Sequence, residues 1–92
     1  MKLKWDESAW EEHTEIQARD KQMLKRINML VKDAMRSPFE GIGKPEGLKW
    51  NLQGYWSRRI DDTNRLVYTV KRNSETGEDE LIIASCRYHY DD

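Results

Sequence analysis

Ninety-two residues, 36% of them charged and with a net charge of −1, allow one small domain with a modest core and exclude a second. The single cysteine, Cys86, excludes an internal disulfide framework, and no apolar run approaches the length that crosses a membrane. A soluble chain in a reducing cytoplasm is the expectation, and four Trp and four Tyr argue against disorder despite the charge.

In chain order, Lys2 to Trp5 alternates polar and apolar residues and predicts a short strand. Asp6 stands where it would cap a helix, with Glu7, Glu11 and Glu12 near the positive end and Ala9, His13 and Ile16 on one face beside Trp10. Asp20 caps a second helix, in which Met23, Ile27, Leu30 and Ala34 form an apolar stripe widened by Leu24 and Val31. Ser37-Pro38 stops it, because the residue before proline is pushed away from helical angles. SPFEGIGKPEG, with three glycines and two prolines, reads as a loop. YWSRRI, RLVYTVKR and LIIASCRY read as strands, the first two joined by the short DDTN turn and the last preceded by a polar loop, RNSETGEDE. The predicted fold class is α+β over a single domain, 1–92. Its order is β-α-α-β-β-β, an antiparallel sheet with two helices packed on one face.

Several chemistries are excluded by residue type and spacing. Two His and one Cys cannot build a zinc cluster at ligand spacing, so no metal and no cofactor are expected. GIGKPEG lacks the four-residue gap between glycines and places Pro45 where a nucleotide-binding loop needs Ser or Thr. Cys86 lies mid-strand in an apolar run, and alternation would place it on one face with Ala84 and Tyr88.

The basic middle of the chain is more informative. Residues 44–72 carry seven basic and three acidic groups, whereas 73–92 carry one basic group against six acidic ones. Lys49-Trp50 and Tyr55-Trp56-Ser57-Arg58-Arg59 interleave cations for phosphates with rings for bases, the combination that binds single-stranded nucleic acid. Strand neighbours face opposite ways, so one of Tyr55 and Trp56 belongs to the core and the other to the surface. Glu46 is the lone carboxylate between Lys44 and Arg59, and His89 is a side chain able to give or take a proton near pH 7.

SPFEGIGKPEGLKWNLQGYWSRRIDDTNRLVY with the terminal RYHY closely resembles the YoeB-type toxins of the RelE superfamily, and MKLKWDESAWEE and KQMLKRINMLVKD fit as well. The resemblance implies a ribosome-dependent mRNA endoribonuclease, the toxin of a type II toxin–antitoxin pair, cutting in the ribosomal A site without a metal by attack of the neighbouring 2′-hydroxyl. It implies Glu46 as general base, His89 as general acid, Tyr90 as a substrate-orienting residue, and Arg65 and Arg59 as phosphate-stabilising cations supported by Lys49. It also implies a homodimer, neutralisation by a cognate antitoxin, and operator DNA bound only by the toxin–antitoxin complex. The RNA-binding set expected from the pattern and the resemblance together is Lys49, Arg58, Arg59, Trp50 and Tyr55, and no membrane partner is expected. A non-catalytic RNA- or ribosome-binding module would use the same surface. Two departures stand out: Asp91-Asp92 follow the terminal tyrosine, and the RNSETGED loop is longer than the resemblance leads one to expect.

Overall fold

The computed structural model describes residues 1–89, and the expectations placed on Tyr90, Asp91 and Asp92 lie outside the described residues. The elements are β1 (Lys2–Trp5), α1 (Glu7–Arg19), α2 (Lys21–Arg36), β2 (Glu46–Gly47), β3 (Tyr55–Arg59), β4 (Asn64–Arg72) and β5 (Asp79–His89). They form one sheet in the order β1-β5-β4-β3-β2, with both helices packed on one face. The predicted element order holds, with β2 as an additional two-residue strand at the end of the glycine-rich loop. The sheet is mixed: β2 to β5 pair antiparallel, but β1 runs parallel to β5, with Leu3 opposite Leu81 and Trp5 opposite Ile83. No helix of the described residues is long and apolar enough to cross a membrane.

The α2 stripe folds as its spacing dictates. Asp20 Oδ1 accepts from Met23 N at 3.0 Å, and Ile27, Leu30, Val31 and Ala34 are buried. They meet Leu66 and Tyr68 of β4 and Leu81, Ile83 and Cys86 of β5 in one core. Burying a side chain of this size stabilises by about 1.5–3 kcal/mol. α1 has the weaker face, with only Ala9 and Ile16 buried, and leans on polar ties. His13 Nε2 lies 2.9 Å from Asn28 Oδ1 of α2, and Arg87 reaches Glu15 at 2.7 Å. Where β1 ends, Glu12 Oε1 accepts from the Cys86 backbone N–H at 2.9 Å and from Ser85 Oγ at 3.1 Å, so the opened edge of β5 is not left unpaired.

β5 carries two register irregularities against β4, one between the pairs of Arg65 and Val67 and one between those of Val67 and Tyr68. They shift its alternation, so Cys86 turns to the core with Ile83 and Leu81, while Tyr88 pairs with Arg65 on the other face. The expected shared face of Cys86 and Tyr88 is therefore corrected. The packing of the thiol is as expected: it lies 3.6 Å from Ala9 O, and burial, then the Glu12 charge, push its pKa up to about 12.

Arg58 also departs from expectation. It alternates with Trp56 and Ile60 on the helix side of β3 and is 0% exposed. Its Nε donates to Tyr68 Oη at 3.0 Å, one terminal nitrogen to Asp33 Oδ2 (2.6 Å) and Ile42 O (3.1 Å), the other to Ser37 O (2.6 Å) and Glu40 O (2.9 Å). All five N–H donors of a guanidinium are thus committed. Arg58 is not available to RNA; it ties the loop after α2 to the sheet. The loop passes so close that a Cβ on Gly41 would overlap Asp33 Oδ2, and one on Gly43 would stand 2.6 Å from Leu30 Cδ2. Glycine at both positions lets the chain reach β2 and present Glu46.

Candidate active site

The face of the sheet away from the helices gathers the remaining expected residues by register. Directly opposed residues of antiparallel strands project to the same side, with Cβ atoms about 4.5–5.5 Å apart. Glu46 opposes Ser57, and Ser57 opposes Val67. One step along, Arg59 opposes Arg65, and Arg65 opposes Tyr88. Carboxylate and arginines therefore occupy adjoining rows of one face. Arg59 is held there through its backbone: its N–H donates to Gly43 O at 2.7 Å and its carbonyl accepts from Arg26 at 3.0 Å. Like charges directly opposite each other cost stability. An anion between the two guanidiniums would offset that cost and bind through charge-assisted hydrogen bonds.

The segment from Leu48 to Leu52, which includes a single 3-10 turn at Trp50–Leu52, arches from the β2 edge towards the end of β5. Together with Tyr88 and His89 it encloses a cavity of about 330 Å³, into which Lys49 and Trp50 also face. The cavity thus brings the expected acid, His89, to the expected cation, Lys49. Ser57, 1% exposed, has a hydroxyl with no hydrogen-bond partner among the described residues and lies on the Glu46 side of the sheet.

His89 is anchored by a residue the sequence showed only as part of a turn. Its Nε2 lies 3.2 Å from Asn64 Oδ1. The Asn64 amide nitrogen donates to both oxygens of Asp61, each at 3.1 Å, which leaves Oδ1 towards the ring. An acceptor there requires that His89 Nε2 carry the proton, so in the neutral ring Nδ1 is the nitrogen without one. Asp61 also accepts from the backbone N–H of Thr63 and Asn64 at 2.9 and 2.7 Å, which closes the turn. Burial alone would raise the Asp61 carboxyl, but these bonds outweigh it and hold its pKa below the ordinary aspartate value.

The register gathers Glu46, Arg59 and Arg65 on one face of the sheet, with Tyr55 half-buried there, and the cavity beside Tyr88 at the edge of that face brings Lys49 to His89. Trp56 packs against the core, as one of the Tyr55–Trp56 pair must. Arg58 is removed from the set, and Tyr90 lies outside the described residues. Tyr88 and Asn64 join it. Asn64 had a signal in DDTN, where Asp and Asn build turns through their side chains. Tyr88 had none, since the bulges that turn it cannot be read from alternation.

The family described as YoeB-like toxin of bacterial type II toxin–antitoxin system matches residues 5–90. The toxin YoeB of Escherichia coli (strain K12) is 53% identical over 90 residues, covering 98% of this chain and 100% of that protein. Among solved structures, the YoeB dimer from Staphylococcus aureus superposes with a TM-score of 0.84 at 47% identity, covering 98% of each chain. The heterotetrameric YoeB–YefM toxin–antitoxin complex from the same organism gives 0.82 at 47% identity, again over 98% of each chain. With a family match across nearly the whole sequence and a relative above half identity, the chain belongs to the YoeB-like toxins of bacterial type II toxin–antitoxin systems.

Proposed function

We propose that this toxin is a single-domain endoribonuclease that cuts mRNA in the ribosomal A site and so stops translation in the cytoplasm. The observation that carries the reading is a carboxylate and two opposed arginines on one face of the sheet, with a lysine and a histidine lining a cavity at its edge beside Tyr88, the strand partner of Arg65. RNA supplies its own nucleophile. Glu46 takes the proton of a ribose 2′-hydroxyl, and the 2′-oxygen attacks the adjoining phosphorus. The bond from phosphorus to the 5′-oxygen breaks, and His89 protonates the departing oxygen, leaving a 2′,3′-cyclic phosphate and a 5′-hydroxyl. Arg59 and Arg65 face the charge that develops on the non-bridging oxygens, the position at which fixed cations contribute most. Lys49 holds a neighbouring phosphate, and Tyr55 and Trp50 offer rings to bases.

The antitoxin and homodimer assignments rest on the Staphylococcus aureus relatives, and the ribosome and operator-DNA assignments on family resemblance. The test compares wild type with His89→Gln on ribosomes programmed with end-labelled mRNA, following both new RNA ends and co-sedimentation. The reading expects His89→Gln to co-sediment like wild type while its cleavage falls by about 10²–10⁴-fold, the usual contribution of a general acid. A wild-type protein that co-sediments and yields no new ends would instead identify a non-catalytic ribosome-binding module.

A further inference from the structure

Trp50 stands apart from the other tryptophans. Trp5 and Trp10 pack edge to face at 5.7 Å between ring centres, and Trp56 lies 4.8 Å from Phe39. Trp50 is 89% exposed, and its backbone sits at φ 61°, the left-handed region that a bulky residue rarely adopts. The turn holds it there: Leu52 N donates to Lys49 O and Gln53 N to Trp50 O, each at 3.1 Å. A large apolar ring kept in water on a strained backbone loses on both counts in the free protein, so its gain is sought in a bound state.

Trp50 borders two cavities: the one of about 330 Å³ that holds His89 and Tyr88, and a second of about 350 Å³ that holds Gln53 and Leu48. Lys49 borders both. Each falls within the usual size of ligand pockets. An indole has two faces, and a single-stranded chain that passes it can lay one base on each while a lysine at its foot meets the phosphate between them.

We infer that Trp50 is a wedge between two consecutive RNA bases, one over the His89 cavity and the next over the Gln53 cavity, with the Gln53 amide reading the edge of the second. This deepens the proposed nuclease function and rests on it for the statement that the two bases flank the cut. It assigns to Trp50 and Gln53 the base preference of the site, separately from the chemistry at Glu46 and His89. Stacking strength gives the choice at the first base, and a side-chain amide, with both a donor and an acceptor, discriminates at the second.

Two measurements test it. In the first, indole fluorescence is titrated with a short single-stranded ribooligonucleotide and with the same oligonucleotide carrying abasic sites, using Trp50→Phe as the blank. The wedge predicts quenching by the first, little by the second, and its disappearance in the blank; equal behaviour of the two oligonucleotides overturns it. In the second, cleavage of programmed ribosomes is followed for Trp50→Ala, Trp50→Phe and Gln53→Ala. Trp50→Ala should lower kcat/KM by about 30- to 20,000-fold, the loss expected for two stacked bases. Trp50→Phe should recover most of it, with the thermal midpoint unchanged, and Gln53→Ala should flatten the preference at one flanking base. Wild-type kinetics in Trp50→Ala, or no recovery in Trp50→Phe, overturns the wedge. Base-dependent quenching by a wild-type protein that cuts nothing would uphold the wedge and defeat the nuclease reading instead.

Discussion

Replacing Arg58 by Ala separates a structural arginine from an RNA-binding one. The substitution removes all five donors at once and leaves the Tyr68 hydroxyl, the Asp33 carboxylate and the carbonyls of Ser37, Glu40 and Ile42 without them. Removing one partner of a buried ion pair costs about 3–5 kcal/mol. A chain of 92 residues has a total stability of about 5–14 kcal/mol at the usual 0.05–0.15 per residue. The loss is a large fraction of that reserve, and at about 4–8 °C per kcal/mol the thermal midpoint should fall by about 12–40 °C. Arg59→Ala is the control: its side chain is exposed, its anchoring is through the backbone, and surface changes stay within about 0.5 kcal/mol. Removing both partners in Asp33→Asn with Arg58→Met should cost less than Arg58→Met alone, because no carboxylate is then left unpaired. The assay is thermal unfolding by circular dichroism beside RNA binding at matched folded fraction. An Arg58→Ala protein that melts within a few degrees of wild type but binds RNA poorly would refute the structural reading.

Other outcomes follow from the same contacts. Asp33, through its bonds from Arg58 and the Ile42 N–H, and Glu80, through Asn73 and Lys4, have pKa values below their ordinary ones, as Asp61 does. The unfolded chain therefore binds more protons than the native one in acid. The stability these groups contribute is fully present above about pH 4–5 and is lost as pH falls through the native values. Urea midpoints from pH 6 to pH 2 should decline accordingly, and a flat profile would contradict this. Cys86, with its pKa raised to about 12 and its side chain buried, should react with a thiol reagent at pH 8 only after denaturant is added. Rapid modification of the native protein would contradict its packing. Asn64→Ala should convert His89 from the Nε2-protonated tautomer to a mixture, read from long-range 15N correlations of the imidazole, while Asn64→Gln should restore it in part; an unchanged tautomer would show that Asn64 does not set it.

Much of the fold was legible because local pattern and tertiary packing agree. The α2 stripe, the Asp20 cap and the Ser37-Pro38 stop each act within a few residues, and the sheet-side partners of that stripe need only be apolar. What escaped was set by distant pairing. The parallel seating of β1 on β5 joins residues nearly eighty positions apart, and nothing in either strand states its direction. The bulges in β5 put Tyr88 beside Arg65 although simple alternation grouped it with Cys86. Arg58 could have been read: it stands two residues from both Trp56 and Ile60, on the face that packs inward, while Arg59 shares the face of Ser57 and Tyr55. The basic composition of the block concealed that distinction, because a buried and an exposed arginine are spelled alike. Glu46, Lys49 and His89 were visible as residue types and took their roles from a family resemblance; the β2–β3 register carries Glu46 to the arginine face, and the Leu48–Leu52 segment brings Lys49 to the cavity beside His89.

The central claim, that the RNA's own 2′-hydroxyl cuts the chain between Glu46 and His89, is tested most directly by one atom of the substrate. Ribosomes are programmed with an mRNA whose A-site codon carries a single 2′-deoxynucleotide on the 5′ side of the mapped cut, and products are compared with those from the all-ribose mRNA. The account predicts that cleavage at that bond disappears, while the all-ribose mRNA yields a 2′,3′-cyclic phosphate and a 5′-hydroxyl. Undiminished cleavage at the 2′-deoxy position would contradict it.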